Sequence, residues 1–417
     1  MFFRQLQCGR VLMAFFATCT LSIPTALHAL SLDEAQRLAT QTPSLKAEAA
    51  KIEAARNAAI PAAELPDPKL VLGLQSVPIE GDQRWSVDQD DMTMQMVGLM
   101  QEVPNRAKRR ARAETANAAI KVAAAQQRVE QLNVRLETAK AWIATHTVER
   151  QLAMFDELFA ENRLLTEAVR AQIAGGQGLA ADEVAPRQEA ALLAERQDEL
   201  EERRTQARTA LRRWIGPAAD NPLSGSVPNW PVDAQRYAQR QTQRPELQLY
   251  DPMHDEARAR ISEAVAQKKS DWSWEVDYLR RGREFGDMVN LSVSFSLPVF
   301  QGSRQNPAIA AQYAALDQLE AEREAAERAY AAQLASELAE QQRLSRALER
   351  YRNSLLPLAR EKVVLSMAGY RAAKGELNAV LTARRELLET RLKQIDLEGL
   401  EAIARARLHY AYGEMSE

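Results

Sequence analysis

The sequence predicts a mainly helical protein with a small β part, built as a tandem repeat. The first observation is a repeated stretch: GLAADEVAPRQE from Gly178 returns as GELNAVLTARRE from Gly375. The second is that each copy lies between long segments rich in Ala, Gln, Glu and Arg, with almost no helix breakers. The third is two pairs of short segments with alternating hydrophobicity. Each glycine is therefore predicted to be the bend of a long helical hairpin.

Composition and the first residues restrict the class of protein. The 417 residues include only 16 glycines and 6% aromatics, which favours helix over a compact mixed core. Residues 1–29 show a secretory signal, with Arg4 and Arg10 before an apolar run, and we expect cleavage after Ala29. Removing both arginines changes the net charge from −3 to −5, which argues against a nucleic-acid partner. Both cysteines lie within the signal, so we expect neither a disulfide nor a thiolate ligand.

The predicted domain plan follows from the repeat. A signal peptide is followed by a first repeat, a linker and a second repeat, at 1–29, 30–216, 217–232 and 233–417. Each repeat holds short helices, two strands and a hairpin. The strands are expected at about 69–76, 92–102, 271–279 and 288–298, and the bends at 175–178 and 375. The bends differ by 375 − 178 = 197 residues, so few length changes separate the two halves.

The helices are predicted to be unusually long. No proline or glycine interrupts Asn105 to Gly175. An unbroken helix of that length would span about 105 Å at about 1.5 Å per residue. A return helix is expected to reach Trp214, with a kink at Pro186.

The second strand pair has the clearest alternation in the chain. Its apolar positions fall on one face and its Ser, Asn, Asp and Glu positions on the other. The apolar set is Trp272, Trp274, Val276, Tyr278, Val289, Leu291, Val293 and Phe295. Such strands occur between lipid and water, and also in soluble β-sandwiches. The signal peptide and the long helices favour lipid, and we expect these residues to face it.

Methionines repeat at every second position of the predicted second strand, at Met92, Met94 and Met96, with Met100 further on. Thioethers bind soft monovalent metals. The period of two, however, is expected to place them on the lipid face, where they are ordinary apolar side chains. After the signal the histidines are isolated from one another, so we expect neither a metal site nor a cofactor.

Four amphipathic strands cannot close a barrel, and an open sheet edge is not tolerated in lipid. Other copies of the chain must then close it. Two copies would supply eight strands, whose side chains nearly fill the lumen, and three would supply twelve and leave a channel. The strands therefore predict a trimer.

The order of signal, short helix, strand pair and helical hairpin, all repeated, resembles the TolC family of trimeric outer-membrane factors over essentially the whole mature chain. The matching motifs are Leu65–Pro68, Gln101–Pro104, Asn105–Arg112, Ser296–Gly302, Leu355–Pro357 and Tyr370–Gly375. Together with the Met-rich strand, they are most similar to the heavy-metal (cobalt-zinc-cadmium or copper-silver) efflux subclass.

The resemblance implies a twelve-stranded barrel in the outer membrane and a long helical tunnel in the periplasm. It implies a periplasmic adaptor as partner, fed by an inner-membrane pump of the resistance-nodulation-division class. The hairpin bends are where this family meets its adaptor. In this sequence they correspond to Gly178, Leu179, Ala180, Gly375, Glu376 and Leu377. Glu376 departs from the small or apolar residue common there, and we expect both leucines to be exposed for docking.

Two carboxylates, Asp182 and Glu183, follow the first bend. Either they interact with the N-terminus of the return helix, or in a trimer they form an acidic ring at the tunnel mouth. No grouping of nucleophile and base and no ATPase motif is found in the sequence. We therefore expect no enzyme but a passive conduit that exports substrate, heavy-metal cations by resemblance, from periplasm or cytoplasm to the exterior. The alternative is a helical-hairpin scaffold or spacer protein of the cell envelope.

Overall fold

The structure is a computed structural model that describes residues 29–176, 180–282, 284–372 and 374–413. The predicted signal peptide, apart from Ala29, lies outside these ranges. Helix dominates the described chain, and four strands form a single sheet. The predicted fold class, mainly α with a small β part, is confirmed for the single chain.

The described chain begins with two short helices and ends with a long one. Its helices are α1 Leu32–Ala39, α2 Pro43–Ala59, α3 Arg106–Leu152, α4 Phe155–Ala174, α5 Val184–Ile215, α6 Ala234–Arg240, α7 Pro245–Gln248, α8 Tyr250–Ala266, α9 Gln305–Arg350, α10 Leu356–Arg371 and α11 Leu377–Tyr412. Its strands are β1 Lys69–Gln75, β2 Met94–Val103, β3 Trp272–Arg280 and β4 Met288–Phe295.

The sheet joins the two halves of the chain. All its pairings are antiparallel, in the order β1-β2-β3-β4. The first half contributes β1 and β2, the second half contributes β3 and β4, and β2 pairs with β3 from Val103 opposite Trp272 to Gln95 opposite Arg280. β1 and β4 are the edges, and within the described residues each has only one neighbouring strand.

The first long helix is interrupted, so the prediction of an unbroken helix is wrong. α3 and α4 are separated by a turn at Ala153 and Met154, although neither residue is a helix breaker. Immediately after the turn, Phe155 is fully buried in a cluster that includes Leu193 and Leu200 of α5. The interruption therefore coincides with tertiary packing, which periodicity along the chain does not report.

The second half changes helix geometry at a nearly corresponding place. A π-helical turn at Tyr351–Leu355 separates α9 from α10. It begins at Tyr351, and 351 − 153 = 198, which is one residue more than the offset of 197 between the two bends. Here Pro357 stands in the first turn of α10. Interruptions of this kind bend helices, and the two repeats contain them at nearly corresponding positions.

The predicted kink at Pro186 is also wrong. Pro186 is the third residue of α5, where a backbone N–H would have no partner within the helix. No intrahelical hydrogen bond is lost, and α5 continues to Ile215. The carbonyl of Pro186 accepts a hydrogen bond from the Asn162 amide of α4 at 3.0 Å, which ties together the two arms of the first hairpin.

The segment predicted as a linker, 217–232, is held against the helices. Leu30 donates its backbone N–H to the carbonyl of Pro222 at 2.8 Å. The carbonyl of Leu30 accepts from the indole N–H of Trp142, a fully buried residue of α3. Leu223 and Trp230 pack on the same hydrophobic cluster. The start of the described chain and the connection between the halves thus share one core, and the boundaries of the repeats stay predictions.

A hydrogen-bonded junction fixes the base of the sheet to the helices. The Asn105 side chain accepts from the backbone N–H of Lys108 at 2.9 Å, which caps α3. Its amide donates to the carbonyl of Ala266 at 3.2 Å and to the Asp271 carboxylate at 2.9 Å. Lys108 Nζ lies 2.7 Å from the other oxygen of that carboxylate. α3, α8 and the start of β3 therefore meet at one point.

Close helix packing occurs where Gly399 of α11 faces Thr147 of α3. A Cβ atom at Gly399 would overlap the Thr147 hydroxyl and lie 2.8 Å from its Cγ2. Gly369 of α10, by contrast, has open space where its Cβ would stand. Of the two, only Gly399 has a neighbouring side chain that leaves no room for a Cβ atom.

We predict that Gly399→Ala lowers the free energy of unfolding by about 1–3 kcal/mol, because the added methyl group forces α11 and α3 apart. Thermal unfolding of the purified protein followed by circular dichroism measures the effect. The double variant Gly399→Ala/Thr147→Ala should recover part of the loss. Gly369→Ala should be neutral or stabilising by up to about 1 kcal/mol. Equal unfolding midpoints for Gly399→Ala and the wild type would contradict the close contact.

Candidate functional site

One face of the sheet is apolar and exposed. Residues directly opposite in neighbouring strands share a face, so the pairing register assigns every side chain to one of the two faces. Leu72 is opposite Val97, Val97 opposite Tyr278, and Tyr278 opposite Val289. Leu72 is 68% exposed and Val289 72%. We call this the apolar face: Leu70, Leu72, Leu74, Val97, Leu99, Trp272, Trp274, Val276, Tyr278, Val289, Leu291, Val293 and Phe295.

All eight residues predicted to face lipid lie on the apolar face. The sequence analysis did not assign the leucines of β1, or Val97 and Leu99 of β2, to that face. The sequence of β2 alone does not show which of its residues share the apolar face, because both sets of alternate residues contain apolar side chains. In β3 one set of alternate residues is apolar and the other is polar. Pairing with β3 therefore shows which set of β2 belongs to the apolar face.

The opposite face, which we call the polar face, contains the carboxylates of β3, the serines of β3 and β4, and Asn290. Asp277 is opposite Asn290, and Glu275 is opposite Ser292. The buried Leu279 lies on the same face. The two faces thus differ in chemistry from Trp272 to Tyr278 of β3 and along the residues of β4 that pair with them.

The predicted position of the methionines is wrong. Met96 is opposite Leu279 and Met100 is opposite Glu275, so both belong to the polar face, together with Met94. Met92 precedes the strand and is 58% exposed. The error has a physical cause: alternation predicts that every second residue shares a face, but it cannot say which face when both sets are apolar.

Two strand glycines on the polar face make room for neighbouring side chains. A Cβ atom at Gly98 would overlap the carboxylate of Asp277, its partner on β3. A Cβ atom at Gly73 would lie 3.2 Å from the methyl carbon of Met96. Glycine within a strand often marks such an approach, and this was the signal available in the sequence. Asp277 is 4% exposed, although it is a carboxylate.

The first bend is described only in part. Gly175 and Gly176 end α4, and Gly176 has a φ of +72°, which glycine adopts without strain. The predicted docking residues Gly178 and Leu179 lie outside the described residues. Ala180 is exposed and begins a 3-10 turn that ends at Glu183.

The structure describes the second bend from Lys374 onward. Gly375 and Glu376 are exposed, as expected for the end of a hairpin. Leu377 is only 4% exposed, so the prediction that it offers apolar surface is wrong. It is the first residue of α11 and packs with Leu165 and other apolar residues of α4. Leu377 therefore joins the two hairpins to each other near their ends.

The tip carboxylates have different surroundings. Glu183 accepts a hydrogen bond from Arg170 of α4 at 3.1 Å, with both side chains about half exposed. Asp182 lies close enough to Tyr370 of α10 for its charge to act on the phenol. Burial first, and then this charge, raises the pKa of Tyr370. Asp182 thus brings the first bend close to the second hairpin, whereas Glu183 is held within the first.

A cavity of about 780 Å³ lies between α3, α9, α11 and the segment after α5. Arg150 and Arg352 reach into it from either side and both bind Glu398, at 2.9 and 2.8 Å. Burial alone would raise the pKa of Glu398, but hydrogen bonds from Arg352, Gln394 and Arg150 hold it below its ordinary value. The cavity therefore contains a carboxylate that is held by two arginines.

The histidines do not gather into a site. His146 lines the cavity, stacked on Trp142 at 5.1 Å, and its pKa is lowered by burial and by the charge of Arg150. His254 lies 3.3 Å from Glu320, and His409 stacks on Trp230. Within the described ranges, no three His, Cys, Asp or Glu side chains are arranged to hold a metal ion.

The helices of the described chain were compared with the length and apolarity that crossing a bilayer demands. None of them meets both requirements.

Sequence comparison matches residues 273–414 to the family model described as outer membrane efflux protein. The match begins in β3 and includes β4 and the second hairpin, about a third of the chain. No curated protein sequence matches the chain significantly.

Structural comparison covers far more of the chain than the family model does. A membrane protein from Pseudomonas aeruginosa is similar with a TM-score of 0.79 and 20% identity, over 92% of each chain. CusC, studied in connection with transmembrane channel formation, gives 0.77 and 17%, also over 92% of each chain. The outer membrane protein VceC from Vibrio cholerae gives 0.74 and 15%, over 92% of this chain and 96% of its own. At these identities the likeness is one of fold.

Two findings therefore agree. The second half of the chain matches the outer membrane efflux protein family, and the chain as a whole has the fold of solved outer-membrane channel proteins.

Proposed function

We propose that three copies of this chain form an outer-membrane channel, the passive outer conduit of a tripartite efflux system. The observation that carries the proposal is the sheet: one face is apolar and exposed, the other is polar, and both edges are open. A conduit needs no chemical step, so no enzymatic activity is proposed.

The open edges support association with other copies. A four-stranded sheet placed in lipid would leave the outer backbone groups of β1 and β4 without partners, at a cost of several kcal/mol for each group. Pairing β4 of one copy with β1 of the next removes both edges. Three copies give twelve strands, with the apolar face toward lipid and the polar face lining the lumen.

The helices also have surface that needs covering. α10 has no buried residue in the single chain. Leu358, Val364 and Leu365 are each about three-fifths exposed. Leu164 on α4 is equally exposed. Apolar surface of this extent marks an interface, and we assign it to the neighbouring copies, whose hairpins would complete a helical tunnel.

The hairpin ends are the proposed contact with a periplasmic adaptor, which in turn receives substrate from an inner-membrane pump of the resistance-nodulation-division class. Gly178 and Leu179 keep their proposed role from the resemblance of the sequence. At the second bend the exposed contact is Gly375 and Glu376, since Leu377 is buried. The contact therefore has one acidic and one apolar half.

The proposed substrate is a heavy-metal cation. Its support is the similarity of the strand exits and the Met-rich strand to the heavy-metal subclass. The carboxylates of the polar face, Asp277 and Glu275, suit a cation more than an anion. Export runs from the periplasm or cytoplasm to the exterior, and location in the outer membrane follows from the proposed channel.

Opposite faces of β4 provide the test of the membrane assignment. We predict that Val293→Arg, on the apolar face, loses trimer from the outer membrane, because a mid-membrane arginine costs about 2–4 kcal/mol there. Ser292→Arg, on the polar face, should assemble normally. Membrane fractionation and native electrophoresis report the outcome. Equal tolerance of both, with release of the wild type by a salt wash, would instead support the envelope scaffold.

Exposed tip residues test the docking surface. We predict that Glu376→Arg combined with Ala180→Arg leaves trimer and membrane insertion intact but abolishes efflux, because both positions are exposed and the new charges oppose docking. Ala191→Arg, also exposed but further along α5, is the matched control. Crosslinking through Lys374→Cys, an exposed position of the same bend, to the co-expressed adaptor measures docking, and a resistance assay measures efflux. Normal crosslinking and resistance in the double variant would refute the docking assignment.

Leu377→Asp has a different expected result from the exposed variants. The substitution places a carboxylate in the buried cluster with Leu165, so we expect it to destabilise the hairpin ends. It is therefore unsuitable as a docking variant.

The tip carboxylates are tested by conductance. We predict that Asp182→Asn with Glu183→Gln reduces the cation preference of the purified channel in planar bilayers, because two negative charges are lost from each chain at the tunnel mouth. Glu195→Gln, exposed further along α5, serves as the control. Unchanged selectivity in the double variant would show that the carboxylates act only within the hairpin ends.

A further inference from the structure

The length of the sheet locates its two ends in a membrane. The four strands contain 7, 10, 9 and 8 residues. A tilted strand needs about 9–11 residues to cross the hydrocarbon of a bilayer, so this sheet has no length to spare. In the proposed channel, the base of the sheet, where Val103 is opposite Trp272 and Trp272 is opposite Phe295, therefore lies at a membrane surface. The long helices start there, which makes it the periplasmic surface.

Apolar surface continues beyond the base of β4. Leu297 and Val299 are each 71% exposed, and Phe300 is 68% exposed. Trp272 and Phe295, the residues of the apolar face nearest the base, are 40% and 64% exposed. We call these five residues the apolar belt. Aromatic side chains at this level are typical of the boundary between hydrocarbon and headgroups.

Two exposed basic side chains lie at the same level. Arg106 is the first residue of α3, three residues beyond Val103. The carbonyl of Lys269 accepts a hydrogen bond from the Asn105 amide at 3.3 Å, so Lys269, three residues before Trp272, lies beside the start of α3. Both Arg106 and Lys269 are exposed. They thus flank the base of the sheet on its helical side.

A third basic side chain reaches this level from the start of α9. Two side-chain contacts join the antiparallel helices α8 and α9: Asp251 with Arg323, and His254 with Glu320. Three residues separate the two contacts on each helix, so one residue forward on α8 corresponds to one residue back on α9. Continued to the ends of the helices, this register brings Arg304, which is exposed and immediately precedes α9, to the level of Lys269. We call Arg106, Lys269 and Arg304 the basic belt.

The chain around the base of the sheet has a surplus of positive charge. In residues 60–69, 101–112, 263–271 and 296–306, four basic side chains pair with described carboxylates. The basic belt, Arg109 and Lys268 have no ion pair among the described residues. Two exposed carboxylates of these ranges, Glu64 and Asp67, also have none, and Glu275, further along β3, lies on the polar face. Five unpaired basic residues against two carboxylates leave a surplus of three positive charges per chain.

Helix geometry does not neutralise the basic belt. Neither α3 nor α9 has an acidic residue in its first turn. The partial positive charge of each helix N-terminus repels Arg106 and Arg304, which stand there. Within the described chain nothing balances these charges, so they are available to an anion from outside it. Cations beside an apolar belt match a lipid, whose phosphate is anionic and whose acyl chains are apolar.

We propose that the base of the sheet binds anionic phospholipids of the membrane leaflet that faces the periplasm. The basic belt contacts their phosphate groups, because long Arg and Lys side chains extend toward headgroups, and the apolar belt contacts the acyl chains. The position at the membrane rests on the proposed channel function. In a trimer the three basic belts form one ring, so the channel selects anionic over zwitterionic lipid at its boundary.

The competing occupant is a solute anion. If the basic belt faced the lumen, its charges would act on ions that pass through the channel rather than on lipid. The apolar belt at the same level favours the lipid side, because in the lumen its exposed side chains would stand in water. Lipid affinity and ion selectivity distinguish the two orientations.

The experiment uses the purified full chain in an uncharged maltoside detergent. Dioleoyl phosphatidylglycerol is the anionic probe, and dioleoyl phosphatidylcholine is the zwitterionic probe with the same acyl chains. Glycerol 3-phosphate provides the anionic group without acyl chains. Native mass spectrometry of titrated samples measures the affinity for each probe.

Two variants of the basic belt test the role of charge. Arg106→Gln/Lys269→Gln/Arg304→Gln removes three charges and keeps polar side chains. Arg106→Lys/Lys269→Arg/Arg304→Lys keeps the charges and changes the donor geometry. Thermal unfolding shows that each variant is folded. Should the triple glutamine variant fail to fold, Lys269→Gln/Arg304→Gln decides by the same criterion.

The matched control removes three exposed charges elsewhere on α9. It is Arg343→Gln/Arg346→Gln/Arg350→Gln. These residues lie about 60 Å or more from Arg304 along the helix, at about 1.5 Å per residue. They are therefore too far away to contact the same lipid headgroups.

We expect the wild type, the charge-conserving variant and the control to bind phosphatidylglycerol at least about tenfold more tightly than phosphatidylcholine. The glutamine variant should bind both lipids alike, and glycerol 3-phosphate should not bind measurably. Equal affinity of the wild type for the two lipids, or an unchanged preference in the glutamine variant, would overturn the proposal. So would an equal loss of preference in the control, or binding of glycerol 3-phosphate as tight as that of phosphatidylglycerol.

Planar-bilayer recordings separate this proposal from the channel function. If the wild type conducts K⁺ but does not prefer phosphatidylglycerol, the lipid site fails and the channel stands. If it prefers phosphatidylglycerol through the basic belt but conducts no K⁺, the channel fails and the lipid site stands. A changed K⁺ to Cl⁻ selectivity in the glutamine variant, with unchanged phosphatidylglycerol affinity, would place the basic belt in the lumen and refute the lipid site.

Discussion

The antiparallel pairing of β2 with β3 is the interaction on which the functional surfaces depend. It joins the repeated halves into one sheet, and its register places Val97 beside Tyr278 and Gly98 beside Asp277. A slip of one residue would exchange the faces of β2 and place its thioethers among the aromatic side chains of β3. The register thus determines that one face is apolar from Trp272 to Tyr278 of β3 and that the polar face combines carboxylates with methionines.

The helical part is held together by close approaches and by ion pairs between the hairpins. Gly399 allows α11 to meet α3, and Leu377 connects the two hairpins near their ends. Arg385 of α11 binds Glu189 of α5 at 2.8 Å. Exposed pairs contribute little, but the Glu189 side chain is only 7% exposed, so this pair also fixes a geometry. α11 is accordingly the helix against which both halves are positioned.

The two repeats are alike in plan and unlike in surroundings. Both change helix geometry, at Ala153 and at Tyr351, and both end in a bend that contains glycine. α4 nevertheless buries Phe155, Leu165 and Val169, whereas α10 buries nothing within the chain. The second hairpin therefore carries most of the surface that the proposed neighbouring copies would cover. A repeated sequence has thus produced one helix, α4, that packs inward and a corresponding helix, α10, that stays exposed in the single chain.

The sequence by itself determined the repeat, the fold class and the two faces of β3 and β4, because these are periodic properties of the chain. Trp272, Trp274 and Val276 alternate with polar residues. A sheet between an apolar and a polar environment can therefore turn only one of its faces to the apolar side. Glycine at 375 likewise predicted a bend, because its freedom is a local property.

Tertiary structure alone decided which residues of β2 lie on each face, the burial of Leu377 and the interruption at Ala153. Met96 and Val97 are both apolar, so only their partners on β3 could assign each to a face. Leu377 follows an exposed bend but meets α4 of the other hairpin. Each of these features depends on residues far apart in the chain, and such contacts exist only after folding brings them together.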